Sequence, residues 1–293
     1  MKTLITGGNG FIARNLTEQL EDKYNVVSLS RSELDLLDSV KVSEYLKSNK
    51  FDVIFHAATW SATRTSTKDL TKVFRNNLLM FFNLARCSKY FGKMIYYGSG
   101  AEYHRYKLPP KVSEDFLDTI VPEDDYGLSK YIMAKHAECS DNIYDLVLFG
   151  VYGKYEDWRI RFISNACCKA VWDLPITIKQ NALFDYLDIK DLVKITEWFI
   201  ENEPREKIYN VCTGRTFDLL ALAYKVLAVS GKRLDIIVSQ EGLGKEYSGD
   251  NSKLLSEIGD YTFRNVDDGI DELYHWYLER KDRIKRRLLF PDK

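Results

Sequence analysis

Within its first sixteen residues the chain passes from a β-prone run, Lys2–Ile5, straight into Thr6-Gly7-Gly8-Asn9-Gly10-Phe11-Ile12-Ala13-Arg14-Asn15-Leu16, which opens a helix. Gly7 supplies the backbone freedom of a tight turn, and Gly10 lets the main chain approach a pyrophosphate. The helix N-terminus adds amide donors and the positive end of its dipole. Ala13 is small enough for the helix to press on the strand. A glycine-rich turn alone says little, but one held between a strand and a helix reads as a dinucleotide cradle. Gly7, Asn9, Gly10, Phe11 and Ile12 are its expected members.

The rest of the chain fits a parallel sheet wrapped on both faces. Candidate strands at Lys2–Ile5, Val26–Leu29, Asp52–His56, Lys93–Tyr97 and Asp145–Phe149 alternate with helical stretches such as Asp69–Tyr90. The expected fold is therefore α/β, a doubly wound parallel sheet of Rossmann type, with a smaller C-terminal substrate domain. Residues 1–156 form the first domain, 157–293 the second, and 183–212 return to the first. In the second part Ile160–Trp172 reads as a helix, Pro175 as a breaker, and Leu183–Ile189 and Lys207–Cys212 as strands going back to the sheet. The basic tail Lys281–Arg287 reads as an amphipathic terminal helix.

Composition narrows the partners. Forty-two Lys and Arg against 43 Asp and Glu give a net charge of -1, which argues against a broad nucleic-acid or anionic-membrane footprint. Five cysteines without a CxxC pair fit neither a disulfide framework nor a zinc site, and the four histidines form no pair with metal-ligand spacing. No run approaches a membrane span, and the apolar start breaks at Thr6-Gly7-Gly8, too soon for a signal-peptide core. The expectation is a cytoplasmic protein.

Two further clusters carry chemistry. The second strand ends in Ser30-Arg31 rather than in an acid, groups that suit a ribose 2′-phosphate unless Arg31 simply points into solvent. Asp35 and Leu36 begin a turn expected to cover the adenine, with Asp38 able to serve as a helix N-cap instead. Tyr-x-x-x-Lys occurs five times, at Tyr103/Lys107, Tyr126/Lys130, Tyr131/Lys135, Tyr186/Lys190 and Tyr277/Lys281, so the spacing alone selects nothing. Context selects Tyr126/Lys130: Asp124-Asp125 cap the helix Tyr126–Cys139, small Gly127 follows the tyrosine, and the spacing puts both residues on one helix face. Ser99 ends a strand at the edge where a nicotinamide arrives. It is either an ordinary turn cap or the group that hydrogen-bonds a reacting oxygen while Tyr126 gives and takes its proton.

With these pieces in order, the sequence resembles the extended short-chain dehydrogenase/reductase (NAD-dependent epimerase/dehydratase) family over nearly its whole length. The matching segments are Thr6–Ile12, His56-Ala57-Ala58, Asn76-Asn77, Ser99, Tyr126–Lys130, Val151-Tyr152-Gly153 and Asp250–Leu254. The resemblance implies that Ala57 and Ala58 pass beneath the cofactor, that Asn77 ties the central strands to the active site, and that residues after Gly153 close over a nucleotide-sugar. Ser30–Asp38 is most similar to NADPH-dependent 4-keto reductases of the GDP-L-fucose synthase and dTDP-4-dehydrorhamnose reductase type.

The departures are informative. Phe184 stands where those relatives carry an arginine for the substrate diphosphate, so Gly100, Arg159, Arg161 and Lys245 become candidate substrate contacts, the three cations being otherwise ordinary solvated surface charges. Gly100-Ala101 and Trp158–Arg161 lack the cysteine and histidine that epimerise a carbon beside the ketone. The expected activity is reduction of a 4-keto-6-deoxy nucleotide-sugar with NADP (NADPH). The alternatives are a nucleotide-sugar 4-epimerase using NAD, disfavoured by the missing acid at the second strand, and a non-catalytic NAD(P)-sensing protein, disfavoured by the joint presence of Ser99, Tyr126 and Lys130. A homodimer through Asp69–Tyr90 and Tyr126–Cys139 is expected from the apolar breadth of the first, including Leu79 and Phe82.

Overall fold

The computed structural model describes residues 1–60 and 63–289, so the last four residues of the expected second domain lie outside the described residues. In chain order the strands are β1 (Lys2–Thr6), β2 (Asn25–Leu29), β3 (Phe51–His56), β4 (Phe91–Tyr97), β5 (Ile143–Leu148), β6 (Gly150–Tyr152), β7 (Ile176–Asn181), β8 (Leu183–Asp188), β9 (Ile208–Val211), β10 (Thr216–Asp218) and β11 (Ile236–Leu243). The helices are α1 (Phe11–Leu20), α2 (Ser39–Asn49), α3 (Val73–Ala85), α4 (Asp125–Glu138), α5 (Phe162–Val171), α6 (Ile189–Glu201), α7 (Leu219–Ser230), α8 (Ser252–Ile258) and α9 (Val266–Leu278).

Six strands form one parallel sheet in the order β2-β1-β3-β4-β5-β9. Its central strands are near-continuous apolar runs because both faces are covered. On one face α1 and α6 bury Leu16, Leu20, Leu192, Ile195 and Phe199 against Ile5, Phe55 and Leu146. On the other, α2, α3 and α4 bury Val42, Leu46, Phe81, Leu84 and Met133 against Leu4, Ile54, Met94 and Tyr96. The chain leaves β1 toward β2 on one side and resumes with β3 on the other. The carboxyl ends of β1 and β3 therefore flank a topological switch point, where an open α/β sheet leaves room for a ligand.

The remaining elements build a smaller body: a three-stranded sheet β10-β8-β6, a parallel pair β11-β7, and helices α5, α7 and α9. Their shared core holds Ile163, Cys167, Val171, Leu222, Val226, Ile270, Leu273 and Tyr277. Among the described residues no helix is long and apolar enough to cross a membrane.

Three expectations need correction. Leu183–Ile189 does not rejoin the large sheet; β8 pairs with β6 and β10, while β9 takes the edge beside β5. The buried Asp185 explains it, because its carboxylate accepts hydrogen bonds from Thr213 N and Oγ1 and Gly214 N in the turn leaving β9. Asp69–Tyr90 is not one helix but a short 3-10 turn capped by Asp69, then α3, then a second 3-10 turn at Ser88–Tyr90. The basic tail forms two 3-10 turns, Lys281–Arg283 and Arg286–Leu289, rather than an α-helix. Lys281 and Lys285, and Arg283 and Arg287, would repel across a helical turn, so only Ile284 and Leu289 anchor the segment in the second core.

Candidate active site

At the switch point Gly7 takes φ +76°, and a Cβ there would lie 2.8 Å from Ala58 Cα and 2.9 Å from Ala58 N. Only a glycine allows β1 to leave so close to the chain leaving β3. Gly10 is the N-cap of α1 and carries no side-chain cap, so no side chain competes for the first-turn amides. These residues open onto a cleft of about 260 Å³ lined by Gly7, Asn9, Gly10, Ser30, Arg31, Asp35, Leu36, Ala57 and Ala58. Phe11 and Ile12 pack beside the main core instead. Asn77 acts one step away: its side chain accepts from Trp60 N at 2.7 Å and donates to Trp60 O at 3.3 Å, fixing the segment after β3 that walls the cleft. It does not reach the end of β4.

The cleft's outer lip is cationic and aromatic. The Arg31 guanidinium lies 5.2 Å and the Lys68 ammonium 4.9 Å from the Trp60 ring centroid, and all three line the cleft. Nothing in the local sequence marks Lys68, which arrives through the loop after β3. Burial and then the neighbouring Arg31 charge lower the Lys68 pKa. Arg31 also meets Asp35 at 3.2 Å, where Asp35 in turn accepts Leu37 N. Asp38 is the α2 N-cap, accepting from Val40 N and Lys41 N.

The strand end is not free of acids, however. Glu33 Oε2 accepts Ser30 N at 2.8 Å and Ser30 Oγ at 2.6 Å, and those bonds hold its carboxyl below the usual range. Ser30 is thus committed to Glu33, not presented as a donor to the cleft. The glycine cradle, which a Cβ would fill, and the paired cations at its lip fit a dinucleotide with its pyrophosphate on α1.

One strand further, Ser99 caps the 3-10 turn Gly100–Tyr103; its Oγ accepts Ala101 N at 3.3 Å while Glu102 accepts Ser99 N at 3.2 Å. Helix α4 starts against this turn, since a Cβ on Gly127 would lie 2.8 Å from Ala101 O. Asp124 caps α4 through Gly127 N at 2.9 Å, which places the half-buried Tyr126 in its first turn. Lys130, one turn on, is buried; its Nζ donates to Tyr97 O at 2.8 Å and lies 4.4 Å from the Tyr96 ring centroid and 5.7 Å from that of Tyr126.

The other four copies of the motif are spent elsewhere. Lys107 pairs with Glu123, Lys135 with Asp118, Lys190 with Glu272, and Lys281 stacks on Trp172. Tyr103 donates to Asn210 within the core, and Tyr277 is buried in the second core.

Sequence reasoning missed Tyr247. Its backbone pairs with β8, donating to Leu183 O at 2.9 Å and accepting from Asp185 N at 3.1 Å. Its hydroxyl lies 2.7 Å from where a Gly100 Cβ would be, so Gly100 serves as the floor on which Tyr247 and Phe149 rest. Burial pushes the Tyr247 phenol up to about 12, with the Arg105 charge and the Ser99 side chain pulling the other way. Its proximity to the Asp250–Leu254 segment was the available signal. Phe184 joins this wall, its ring centroid 6.0 Å from that of Tyr247 and 5.8 Å from that of Tyr186.

The three candidate substrate cations fare differently. Arg159 closes on Asp157 through two nitrogens at 2.7 Å, so its charge is already answered. Arg161 is exposed at the start of α5 and lowers the buried Glu156, whose carboxyl burial nevertheless lifts to about 7. Lys245 is exposed and donates to Tyr106 O. Three of the candidate carbon-acid bases are held by packing. His136 packs against Phe81 and Phe82, and Cys167 and Cys168 lie in the second core with thiols raised far above their usual range by burial.

Known proteins share this architecture. The chain is 29% identical to dTDP-4-dehydro-6-deoxyglucose reductase of Escherichia coli, over 92% of this chain and 95% of the relative. It is 25% identical to GDP-L-colitose synthase of Yersinia pseudotuberculosis, over 96% and 99%. Among solved structures, GDP-mannoheptose C4 reductase from Campylobacter jejuni with NADP bound superposes with a TM-score of 0.81 at 20% identity, covering 94% of this chain and 98% of that one. UDP-glucose 4-epimerase of Thermotoga maritima superposes at 0.82 with 20% identity, covering 97% and 100%. A sequence profile matches residues 3–212, from the strand before the glycine cradle to the last strand of the large sheet, and the chain belongs to the NAD dependent epimerase/dehydratase family, the extended short-chain dehydrogenases/reductases.

Proposed function

We propose that this chain is an NADPH-dependent reductase of a 4-keto-6-deoxy nucleotide-sugar. The observation that carries the reading is the convergence of Ser99, Tyr126 and the buried Lys130 at the carboxyl edge of the sheet, one strand from the dinucleotide cleft. The bound nicotinamide supplies a hydride. Tyr126 protonates the ketone oxygen, Ser99 hydrogen-bonds that oxygen and orients it, and Lys130 binds the nicotinamide ribose and sets the electrostatic field at Tyr126. The reductases of Escherichia coli and Campylobacter jejuni, similar along nearly the whole chain, support this reading.

The test is NADPH oxidation against GDP-, dTDP-, CDP- and UDP-linked 4-keto-6-deoxy sugars, run on purified ketone in deuterium oxide. Turnover is expected with at least one base and no deuterium at C3 or C5, since His136 is engaged by the Phe81 and Phe82 rings and Cys167 and Cys168 lie in the second core. Enzyme-dependent labelling at either carbon would mean the site contains a carbon-acid base, with His104, which closes the Ser99 turn, first to be examined.

Glu33 favours a second reading, a nucleotide-sugar 4-epimerase using NAD, because a carboxylate at the end of β2 suits a free ribose 2′-hydroxyl. Arg31→Ala separates the two. An exposed charge-assisted contact to a 2′-phosphate is worth about 1–2 kcal/mol, so NADPH affinity should fall roughly 5- to 30-fold while NADH affinity stays unchanged. An unaltered NADPH dissociation constant would leave Glu33 as the determinant.

The proposed assembly is a homodimer through α3 and α4. Phe82 no longer argues for it, since its ring packs 5.0 Å from His136 within the chain, but Leu78 and Leu79 remain half-exposed on α3. Light scattering at micromolar concentration should give twice the monomer mass of 34.1 kDa.

A further inference from the structure

Behind the Ser99 turn lie two acidic side chains that ketone reduction does not employ. Glu102 and Asp145 are each 0% exposed. They converge on one Cα: a Cβ on Gly98 would lie 2.2 Å from Asp145 Oδ1 and 2.9 Å from Glu102 Oε2. Glu102 Oε2 accepts the Ser99 amide, but Glu102 Oε1 and both Asp145 oxygens have no hydrogen-bond partner among the described residues. Two ionised carboxylates this close, out of water, repel strongly enough that one retains its proton. Burial, reinforced by Asp145, raises Glu102 well above the carboxylate range, and burial lifts Asp145 to about 7 against the pull of Lys130.

The surroundings supply one formal positive charge. Lys130 from α4 is the cation that acts on both carboxyls. Tyr96 from β4, Tyr103 from the 3-10 turn and Tyr247 face them as phenols, with Tyr126 from α4 next to Tyr96 and Tyr247, Glu114 and Cys212 lie beyond Tyr103, and β9 contributes apolar Ile208 opposite Asp145. His56, stacked on Tyr96, is kept neutral, its pKa lowered to about 3 by burial and then by the Lys130 charge.

We propose that Glu102 and Asp145 keep a shared proton at neutral pH, and that their one remaining negative charge is the buried counter-ion that positions the Lys130 ammonium beside Tyr126. The role in turnover rests on the reading of Tyr126 and Lys130 given above; the shared proton does not. With one proton the pair and Lys130 sum to zero charge. A second proton, taken up in acid, leaves the buried ammonium without its counter-ion, and turnover should fall with it.

Two measurements on the full chain test this. Carbon-13 NMR titration of the carboxyl groups, without cofactor or substrate, should show one buried carboxyl ionising near neutrality and another still protonated above it, with both signals altered in Asp145→Asn. Ionisation of both below about pH 5, as for ordinary carboxyls, overturns the shared proton. In the pH profile of ketone reduction, Asp145→Asn should move the acid limb up by about one unit or more, because Glu102, the less acidic of the two, must then supply the charge, and Glu102→Gln should move it less, because Asp145 already ionises beside an uncharged neighbour. Glutamine preserves an acceptor for the Ser99 amide, so collapse of that turn is not the cause. The double variant should be roughly 10- to 100-fold slower across the profile. An unmoved acid limb in both single variants overturns the counter-ion role. The titration needs no substrate, so failure of the keto-sugar reading and failure of the proton pair register in different measurements.

Discussion

Tyr126→Phe is expected to cut turnover by roughly 10²- to 10⁴-fold while leaving NADPH affinity nearly unchanged, the loss that accompanies removal of a positioned proton donor. The half-buried ring would keep its packing beside the α2–α4 face of the sheet, so the variant loses an oxygen and little else. Four controls sharpen the result, because Tyr103, Tyr131, Tyr186 and Tyr277 share the same spacing to a lysine. Tyr103→Phe breaks the hydrogen bond to Asn210 and should lower stability by about 1 kcal/mol without a comparable loss of turnover. Steady-state kinetics with fluorescence titration of NADPH check all five. Full activity in Tyr126→Phe, or its loss in one control, would show that another tyrosine carries the proton.

Gly7→Ala should weaken NADPH binding by more than about 100-fold, with a smaller effect on the fold. A non-glycine residue at φ +76° costs about 1–2 kcal/mol, and the added methyl group would sit 2.8 Å from backbone atoms of Ala58 that no rotamer change can move. The strain can be relieved only by parting β1's exit from the segment leaving β3. Those are the two edges of the cleft, so cofactor affinity absorbs most of the damage. Isothermal titration and thermal melts measured together separate the two losses. Wild-type affinity in this variant would remove the turn from the binding site.

What the sequence disclosed depended on how local each signal was. The glycine turn, the Asp124 cap and the largely apolar strands are written within a few consecutive residues, and the structure places them accordingly. Tyr247 stayed invisible because it meets Ser99 through pairing with β8, far away in the chain. Glu102 and Asp145 look like ordinary polar residues one by one, and only parallel pairing of β4 with β5 brings them together at Gly98. Ser30 and Glu33 lie three apart, yet at sequence level Ser30 reads equally well as a free donor. The sheet chosen by β8 was decided by a distant turn that satisfies Asp185.

The path between the two bodies also governs when this protein can fold. β5 runs almost directly into β6, β8 hands the chain back through α6 to β9, and β10 takes it out again. A ribosome that has released only the first 156 residues has therefore made five of the six large-sheet strands but not α6, whose Leu192, Ile195 and Phe199 roof one face. Such a nascent chain carries an oily surface and an open edge on β5 until about residue 212 emerges, an aggregation-prone interval of the kind chaperones shield. The same interleaving makes the bodies depend on each other in the finished protein, so neither can be cut away as a contiguous piece without unroofing the other.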